Sequence, residues 1–243
     1  MSHDDPIHLL SHEHRYILKV VHGLSAIDQE LAAGRMPDLA RLRNIVAFMR
    51  EFADQCHHAK EEAILFPAME DKGVPHGGCP LEGLLREHAR GRELVGALAT
   101  ATAALAGGDA SASDAARGAI AGIQQLYPNH IWKEDEMVFP MAQRLFTEAE
   151  LEALGARFEQ ALRHRKHHFV FLPDVGRIQL LDAGDGAACG IAGGRVAASQ
   201  RGGRAYTPAA HVPPPALCPP HASPPATPLS APHCLAHTTR SAL

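Results

Sequence analysis

The sequence has little that would suit a nucleic-acid-binding or membrane protein. It carries 23 Lys and Arg against 27 Asp and Glu, and the net charge of −4 leaves no basic surface for nucleic acid or anionic lipid. The longest uncharged apolar stretch, residues 94–108, is short and diluted by Ala and Gly, so it cannot span a bilayer. Residues 1–10 lack the basic-then-apolar order of a signal peptide. We therefore expect neither nucleic acid nor a membrane as a partner.

Disulfide and strand signals are also weak. The five cysteines are odd in number and irregularly spaced, which argues against a disulfide framework and favours a reducing cytoplasm. No stretch alternates apolar and polar residues with a period of two, so no β-sheet is expected. Histidine, in contrast, is abundant at 17 residues. Because histidine is both a common metal ligand and a common surface residue, each one must be judged by its position.

Composition divides the chain into two parts near residue 170. Residues 1–170 are rich in Ala, Leu, Glu and Arg, which favour helices. Residues 171–243 contain no Lys and no Glu and hold 11 of the 18 prolines. Such a segment cannot bury enough apolar surface to offset its loss of conformational entropy. We therefore predict a helical domain over 1–170 and a disordered tail, rich in Pro, Ala and Gly, over 171–243.

Helix-start and helix-stop residues divide the first part into four long helices and one short one. Each break carries Gly, Pro or a capping residue, and the links between the helices are short. The predicted helices are A from Asp5-Pro6 to about 33, B from Pro37 to about 70, C from Pro80 to about 106, D from a capping cluster after 108 to about 146, and a fifth helix from the capping box at 147–150 to about 168. This pattern predicts an all-α, up-down-up-down antiparallel four-helix bundle.

One twelve-residue pattern occurs twice. "CHHAKEEAILFP" covers residues 56–67 and "NHIWKEDEMVFP" covers residues 129–140. Each copy places a His four residues before a Glu, so that both side chains share one face of a helix. Each copy also ends in Phe-Pro, and the two prolines lie inside helices B and D, where they are expected to distort the helix locally.

The repeat extends to a histidine on the preceding helix of each pair. His14 precedes His57 by 43 residues, and His88 precedes His130 by 42 residues. The A–B and C–D hairpins therefore each supply one single His and one His-x-x-x-Glu. Apolar residues flank these histidines at helical spacing, which predicts that the side chains point into the bundle. The six candidate metal ligands are His14, His57, Glu61, His88, His130 and Glu134.

Metal binding is the simplest way to satisfy these six polar groups. Several buried imidazoles and carboxylates would be costly without partners. Any one of these histidines, taken alone, is more often an ordinary core or surface residue than a ligand. The set is different, because chance would have to duplicate the single His, the His-x-x-x-Glu and their spacing. Carboxylates and helical histidines in a bundle core are typical of di-iron and di-manganese sites.

With these residues in order, the chain resembles the hemerythrin-like, or HHE cation-binding, proteins. The resemblance covers about residues 6–165 and rests on "EHR", "HHAKEEAILFP", "REHARGR" and "HIWKEDEMVFP". It implies an antiparallel four-helix bundle holding two non-haem irons joined by an oxo or hydroxo bridge. It further implies that the four histidines are terminal ligands and that Glu61 and Glu134 bridge the two ions. The same oxygen and nitrogen donors also accept manganese.

Three features leave the ligand set open. Glu62 and Asp135 follow the two candidate bridging residues, and in the oxygen-carrying branch an Asp at the position of Asp135 is the bridge; the internal repeat favours Glu134 instead. His58 is turned about 100° from His57 on an ideal helix, which favours a helix seam or solvent over a metal. His88 has no second histidine one turn away, so each ion is expected to keep an open position.

The resemblance supports more than one function. The domain is expected to bind or react with O2, peroxide or NO at the di-iron centre, as a carrier, a sensor or an enzyme. The alternative is iron storage, donation or sensing without catalysis. A metal-free bundle that acts through protein contacts is the remaining alternative. The open positions favour oxidation in air over lasting oxygen storage.

Overall fold

The computed structural model describes residues 5–162, 167–172 and 177–182. Residues 5–162 form four long helical runs and one shorter helix, which confirms the predicted four-helix bundle. The helical elements are α1 (Pro6–Ala32), α2 (Leu39–Phe48), π1 (Met49–His58), π2 (Glu61–Leu65), α3 (Phe66–Asp71), α4 (Leu81–Ala106), α5 (Ala112–Lys133), π3 (Glu134–Val138), α6 (Phe139–Leu145) and α7 (Glu148–Leu162). Helix A is α1, helix B runs from α2 to α3, helix C is α4, and helix D runs from α5 to α6.

Two apolar clusters fill the bundle and reveal the helix directions. On helices A and C the chain passes from the first cluster, with Leu10 and Leu84, to the second, with Ile17 and Leu94. Helices B and D run the opposite way between the same clusters. Helix A contacts B and D, and helix C contacts the same two helices. The repeated His and Glu residues lie between the two clusters on all four helices.

Helix ends follow the capping chemistry of the sequence. The Asp5 carboxylate accepts a hydrogen bond from the Ile7 amide at 2.9 Å. Thr147 and Glu150 form the predicted capping box, in which the Glu150 carboxylate accepts from the Thr147 amide at 2.9 Å. Helix B begins later than predicted, because the Asp38 carboxylate, rather than Pro37, caps its first turn.

The local distortion expected near the two Phe-Pro pairs takes the form of π-helix. Segments π2 and π3 end directly before Phe66 and Phe139, and Pro67 and Pro140 then occupy the first turn of the following α-helices. Proline lacks an amide hydrogen, so the regular α-helical hydrogen-bond ladder cannot pass through it. The same distortion occurs in both copies, which shows that the repeat extends to backbone geometry.

A β-hairpin follows the bundle and corrects two sequence predictions. Strands β1 (His167–Leu172) and β2 (Arg177–Asp182) pair antiparallel, with His167 opposite Asp182 and Leu172 opposite Arg177. The prediction of no strand is wrong for these residues, as is that of a fifth helix to about 168, because β1 begins at His167. Strand-forming residues in "HHFVFL" and "RIQLLD" flank "PDVG", whose residues favour turns, and this local pattern was overlooked. The remainder of the predicted tail lies outside the described residues.

The cysteines also differ from the expectation. Cys56 is a buried thiol that is not part of a disulfide, whereas Cys79 is disulfide-bonded. Irregular cysteine spacing therefore did not exclude a disulfide, and it carries no argument for a reducing compartment. Among the described residues, none of the helices combines the length and apolar character needed to cross a membrane.

Candidate metal centre

All six predicted ligands lie in the bundle interior, and a seventh residue joins them. Two groups have ligand atoms that all lie within 4.8 Å of one another. Every member of both groups is buried. The first group is His14, His57, Glu61 and Glu134, and the second is His58, His88 and His130.

The two carboxylates face both groups of histidines. Glu134 Oε2 lies 3.2 Å from His14 Nε2 and 3.3 Å from His130 Nε2. Glu61 Oε1 lies 3.4 Å from His57 Nε2, and its Oε2 lies 3.6 Å from His88 Nε2. Each carboxylate therefore reaches from one group to the other, as a carboxylate that bridges two cations would.

Each histidine is held from the opposite side of its ring by a carboxylate. The Nδ1 of His14 donates to Asp135 Oδ1 at 2.9 Å, because a carboxylate can only accept. His57, His88 and His130 donate in the same way to other carboxylates. Those three bonds are His57 Nδ1 to Glu13 Oε2 at 2.8 Å, His88 Nδ1 to Glu62 Oε1 at 2.7 Å, and His130 Nδ1 to Glu87 Oε2 at 3.1 Å. A neutral imidazole held through Nδ1–H presents the lone pair of Nε2 to the centre.

Most of the atoms that face the centre lack hydrogen-bond partners. Both oxygens of Glu61 and of Glu134 are unsatisfied, as are the Nε2 atoms of His14 and His57. The Nε2 atoms of His88 and His130 lie only 3.1 Å apart. Two neutral imidazoles would point lone pairs at each other there, so a cation between them would remove the repulsion. Orphaned buried polar atoms are costly, and a cluster of oxygen and nitrogen donors of this kind fits metal ions.

Asp135 and Glu62 occupy a different position from the two buried glutamates. Each contacts the Nδ1 of a histidine and is partly exposed at its outer edge. Glu134 and Glu61 are fully buried and lie on the Nε2 side of the rings. The second acid of each repeat therefore holds a histidine of the other hairpin instead of replacing the inner carboxylate.

His58 is the residue whose position the sequence did not predict. Of the two expected positions, solvent is wrong and a helix seam is consistent with the structure, because His58 is buried and its ring stacks on His88 of helix C with centroids 3.9 Å apart. The cause is π1, whose wider turns bring His57 and His58 to the interior together. The adjacent histidines "HH" were the available signal, but an ideal α-helix directs only one of them inward.

The stacked rings around His58 form a column. Phe66, His88, His58 and Tyr127 lie in sequence, with interplanar angles of 15°, 14° and 19° between neighbours. An imidazole binds metal through a lone pair in its ring plane, so two face-to-face rings do not point at one position. His88 and His130, at 73° to each other, do converge. His58 thus places an additional imidazole beside the converging pair of His88 and His130. Tyr127 lies at the end of the column opposite Phe66.

A protein-family model decides the family. The model described as "Hemerythrin HHE cation binding domain" matches residues 5–142. The chain belongs to this family. Uncharacterized proteins from Mycobacterium bovis and from two strains of Mycobacterium tuberculosis are each 29% identical to it over 126 residues, which cover 51% of this chain and 48% of theirs. The chain thus spans about half the length of the curated relatives it matches. No solved structure matches it.

In the metal-free HHE site, the carboxyl groups of Glu61 and Glu134 differ in charge. Burial, followed by the charge of Glu134, raises the pKa of Glu61 well above its usual range. Burial would also raise the pKa of Glu134, but the charge of His130 and the nearby imidazoles of His14 and His88 hold that pKa well below its usual range. One carboxylate is therefore ionised and the other retains a proton when no cation is present.

The two histidines of the first group differ in the same way. Burial would lower the pKa of His14, but the hydrogen bond to Asp135 and the nearby carboxylate of Glu134 raise that pKa to about 9. Burial lowers the pKa of His57 to about 4, although Glu13 accepts a hydrogen bond from it. The metal-free HHE domain therefore holds protons on His14 and Glu61 that a bound cation would displace.

Proposed function

We propose that this HHE domain holds two metal ions, preferentially iron, side by side in the bundle core. The observation that carries the proposal is the cluster of buried His and Glu side chains that converge from all four helices, with unsatisfied atoms on His14, His57, Glu61 and Glu134. The match to a cation-binding family supports the class of ligand. Manganese remains an alternative, since the same oxygen and nitrogen donors accept both metals.

The proposed ligands divide between the two ions. His14 and His57 bind one ion, His88 and His130 bind the other, and Glu61 and Glu134 bridge the pair. This assignment is supported by the distances of 3.2 to 3.6 Å between the carboxylate oxygens and the Nε2 atoms. An oxo or hydroxo group as a further bridge is consistent with the family.

His58 is proposed as a fifth imidazole, on the side of His88 and His130. Its ring must turn from its stack on His88 to direct a nitrogen at the same ion as that residue. Helix B then supplies the imidazole that a second histidine on helix C would have provided. This revises the expectation of one open position on each ion, because the side of His14 and His57 has one imidazole fewer and keeps the open position.

The proposed activity is binding of, or reaction with, O2, peroxide or NO. When bound, an iron pair supplies electrons and Lewis acidity to such small molecules. The carboxylates on Nδ1 fix the ring orientation and the tautomer that would direct Nε2 at the metal, and the buried side chains around the site keep bulk water out. Phe139 contributes to that exclusion, since its ring stacks on His14 with centroids 5.3 Å apart at 8°.

The test is anaerobic loading of the full-length chain with ferrous iron, followed by metal analysis. Absorption spectra are then recorded after adding O2, peroxide or NO separately. We expect about two irons per chain and a spectral change with at least one of the three molecules. Release of the iron to a mild chelator without a spectral change would instead favour storage or donation. Wild-type protein with well under one iron per chain would refute the proposal.

A further inference from the structure

A lysine that is not a proposed metal ligand lies buried beside the proposed metal centre. Only 1% of the Lys60 side chain is exposed, and lysine is rarely buried to this degree. Its ammonium donates to Oε1 of Glu13. The other oxygen of Glu13 accepts from His57 Nδ1 at 2.8 Å. One carboxylate is therefore held by a cation on one oxygen and holds an imidazole with the other.

The same arrangement occurs in the other hairpin. Lys133 donates to Oε1 of Glu87, and Oε2 of Glu87 accepts from His130 Nδ1 at 3.1 Å. In both copies the lysine directly precedes the inner glutamate of its motif. The acid that it contacts directly precedes the single histidine of the preceding helix. This duplication in sequence and in space shows that neither contact is incidental.

The two copies differ in their exposure to solvent. Lys60 and Glu13 have side-chain exposures of 1% and 6%, whereas those of Lys133 and Glu87 are 12% and 24%. Water can therefore partly solvate Glu87 if its lysine is lost, but it cannot reach Glu13. The two copies have the same geometry, but the buried carboxylate of Glu13 depends more on its lysine than the partly exposed carboxylate of Glu87 does.

We propose that Lys60 and Lys133 are positioning residues of the metal centre, which act through Glu13 and Glu87 on the orientation of His57 and His130. Each ammonium fixes one carboxylate oxygen, so that the second oxygen fixes the Nδ1–H form of the imidazole and aims Nε2 at the metal. This inference rests on the proposed function, because it concerns how the same centre is tuned. The buried copy, Lys60–Glu13–His57, has the larger effect.

The competing explanation is that each pair is only a structural ion pair between helices. Replacing the whole pair by apolar residues separates the two explanations. A buried ion pair exchanged for apolar residues of similar size often leaves stability unchanged or raises it. The same exchange removes the acceptor that orients the histidine.

The experiment compares full-length wild type with K60M, with the double variant E13L/K60M, and with E87L/K133M. K72M is the matched control, because Lys72 pairs with Glu150 on the surface, away from the centre. For each protein the metal-free thermal midpoint, the iron affinity by chelator competition and the absorption bands of the cobalt(II)-loaded form are measured. Cobalt bands report ligand geometry at the metal, which a purely structural role would not change.

We expect E13L/K60M to keep the wild-type midpoint in its metal-free form, to bind iron about 10- to 100-fold more weakly and to show shifted cobalt bands. E87L/K133M should change the same way but less, and K72M should match wild type. K60M alone should lose stability, since it leaves the Glu13 charge buried without its cation.

Wild-type affinity and unshifted cobalt bands in E13L/K60M would overturn the inference while leaving the proposed function intact. If that variant does not fold, E87L/K133M decides by the same criterion, because its pair is partly exposed. Wild type that binds neither iron nor cobalt would refute the proposed function itself, which is a distinguishable result.

Discussion

Arg92 Nη2 lies 2.6 Å from Glu62 Oε1 and 2.8 Å from Asp54 Oδ1, so one guanidinium of helix C joins two acids of helix B. Glu62 in turn accepts from His88 Nδ1 at 2.7 Å, and Asp54 lies 3.5 Å from His58 Nδ1. Arg92 occupies the position one turn after His88 where a second helix-C histidine was sought. It supports two imidazoles from outside instead of supplying one.

Replacing Arg92 should therefore weaken metal binding without unfolding the bundle. In R92M, Glu62 and Asp54 lose their shared cation and hold the two imidazoles less firmly. We expect iron affinity to fall about tenfold and the stability of the metal-free protein to fall by less than about 1 kcal/mol, because the pairs are partly exposed. Chelator competition and urea unfolding measure these two effects.

The matched control for that variant is R90M. Arg90 lies on the same helix and pairs with the exposed Glu93, so its loss should change neither quantity. Equal iron affinities in wild type, R90M and R92M would contradict the supporting role of Arg92.

His58 should contribute to metal binding through a ring nitrogen and not through the stacking of its ring. H58F keeps an aromatic ring beside His88 and Tyr127 but removes both nitrogen donors. We expect H58F to fold normally, to bind iron more weakly and to show an altered spectrum in the cobalt(II)-loaded form. A spectrum and an affinity equal to those of wild type would mean that His58 is a packing residue and that each ion has two imidazoles.

The stability of the metal-free protein should depend on pH through the protonation of His14. Its pKa of about 9 in the folded state exceeds the ordinary histidine pKa of 6.5, so the protonated form is favoured by folding. The resulting stabilisation is fully present below the unfolded-state pKa and is lost as the pH rises through the folded-state pKa. Urea midpoints of metal-free wild type should therefore fall between pH 6.5 and 9 through this group, and H14Q should show a smaller fall.

Iron affinity should change in the opposite direction over the same pH range. A metal must displace the proton from His14, so binding should become tighter as the pH rises toward 9. Chelator competition at several pH values measures this trend. Affinity that is independent of pH, together with identical urea profiles for wild type and H14Q, would show that His14 is neutral in the metal-free protein.

The carboxylates of Glu61 and Glu134 should lower the stability of the metal-free protein. Glu61 and Glu134 are fully buried with unsatisfied oxygens when no cation is present. Glutamine in both positions removes the buried charge of Glu134 and the need for a proton on residue 61, so metal-free E61Q/E134Q should be more stable than metal-free wild type by about 1–3 kcal/mol. Thermal melts in the presence of a chelator test this. A less stable double variant would mean that the carboxylates contribute to the fold apart from any metal.

Removal of the C-terminal segment should leave the centre intact. The side-chain hydrogen bonds, ion pairs and ring contacts described for the proposed ligands join residues between Glu13 and Phe139. Truncation after Asp182 retains the bundle and both strands, and should leave the iron content unchanged. Loss of iron or of soluble expression in the truncated chain would show that later residues support the bundle.

The bundle and the convergence of six buried His and Glu side chains at its centre could be predicted because their signals are local and repeated. A His four residues before a Glu, in duplicate and beside apolar residues at helical spacing, fixes both the helix face and the pairing of hairpins. The hairpin at 167–182 was missed because its strands are short and lie next to a segment dominated by proline and glycine.

Two features of the centre depend on information that helical periodicity does not contain. His58 turns inward only because π1 widens the helix, and an ideal 3.6-residue turn would direct it elsewhere. The contact of Lys60 with Glu13 joins residues 47 positions apart, and it depends on the rotation of helices A and B about their axes. The lysine repeat was visible in the sequence, but its partner was not.

The most direct test of the central claim is the iron content of full-length wild type beside that of E61A and E134A, after identical anaerobic loading. The account predicts about two irons per chain for wild type and loss of both in either variant, because each glutamate serves both ions. Wild type with well under one iron per chain, or variants that retain wild-type iron content, would contradict it.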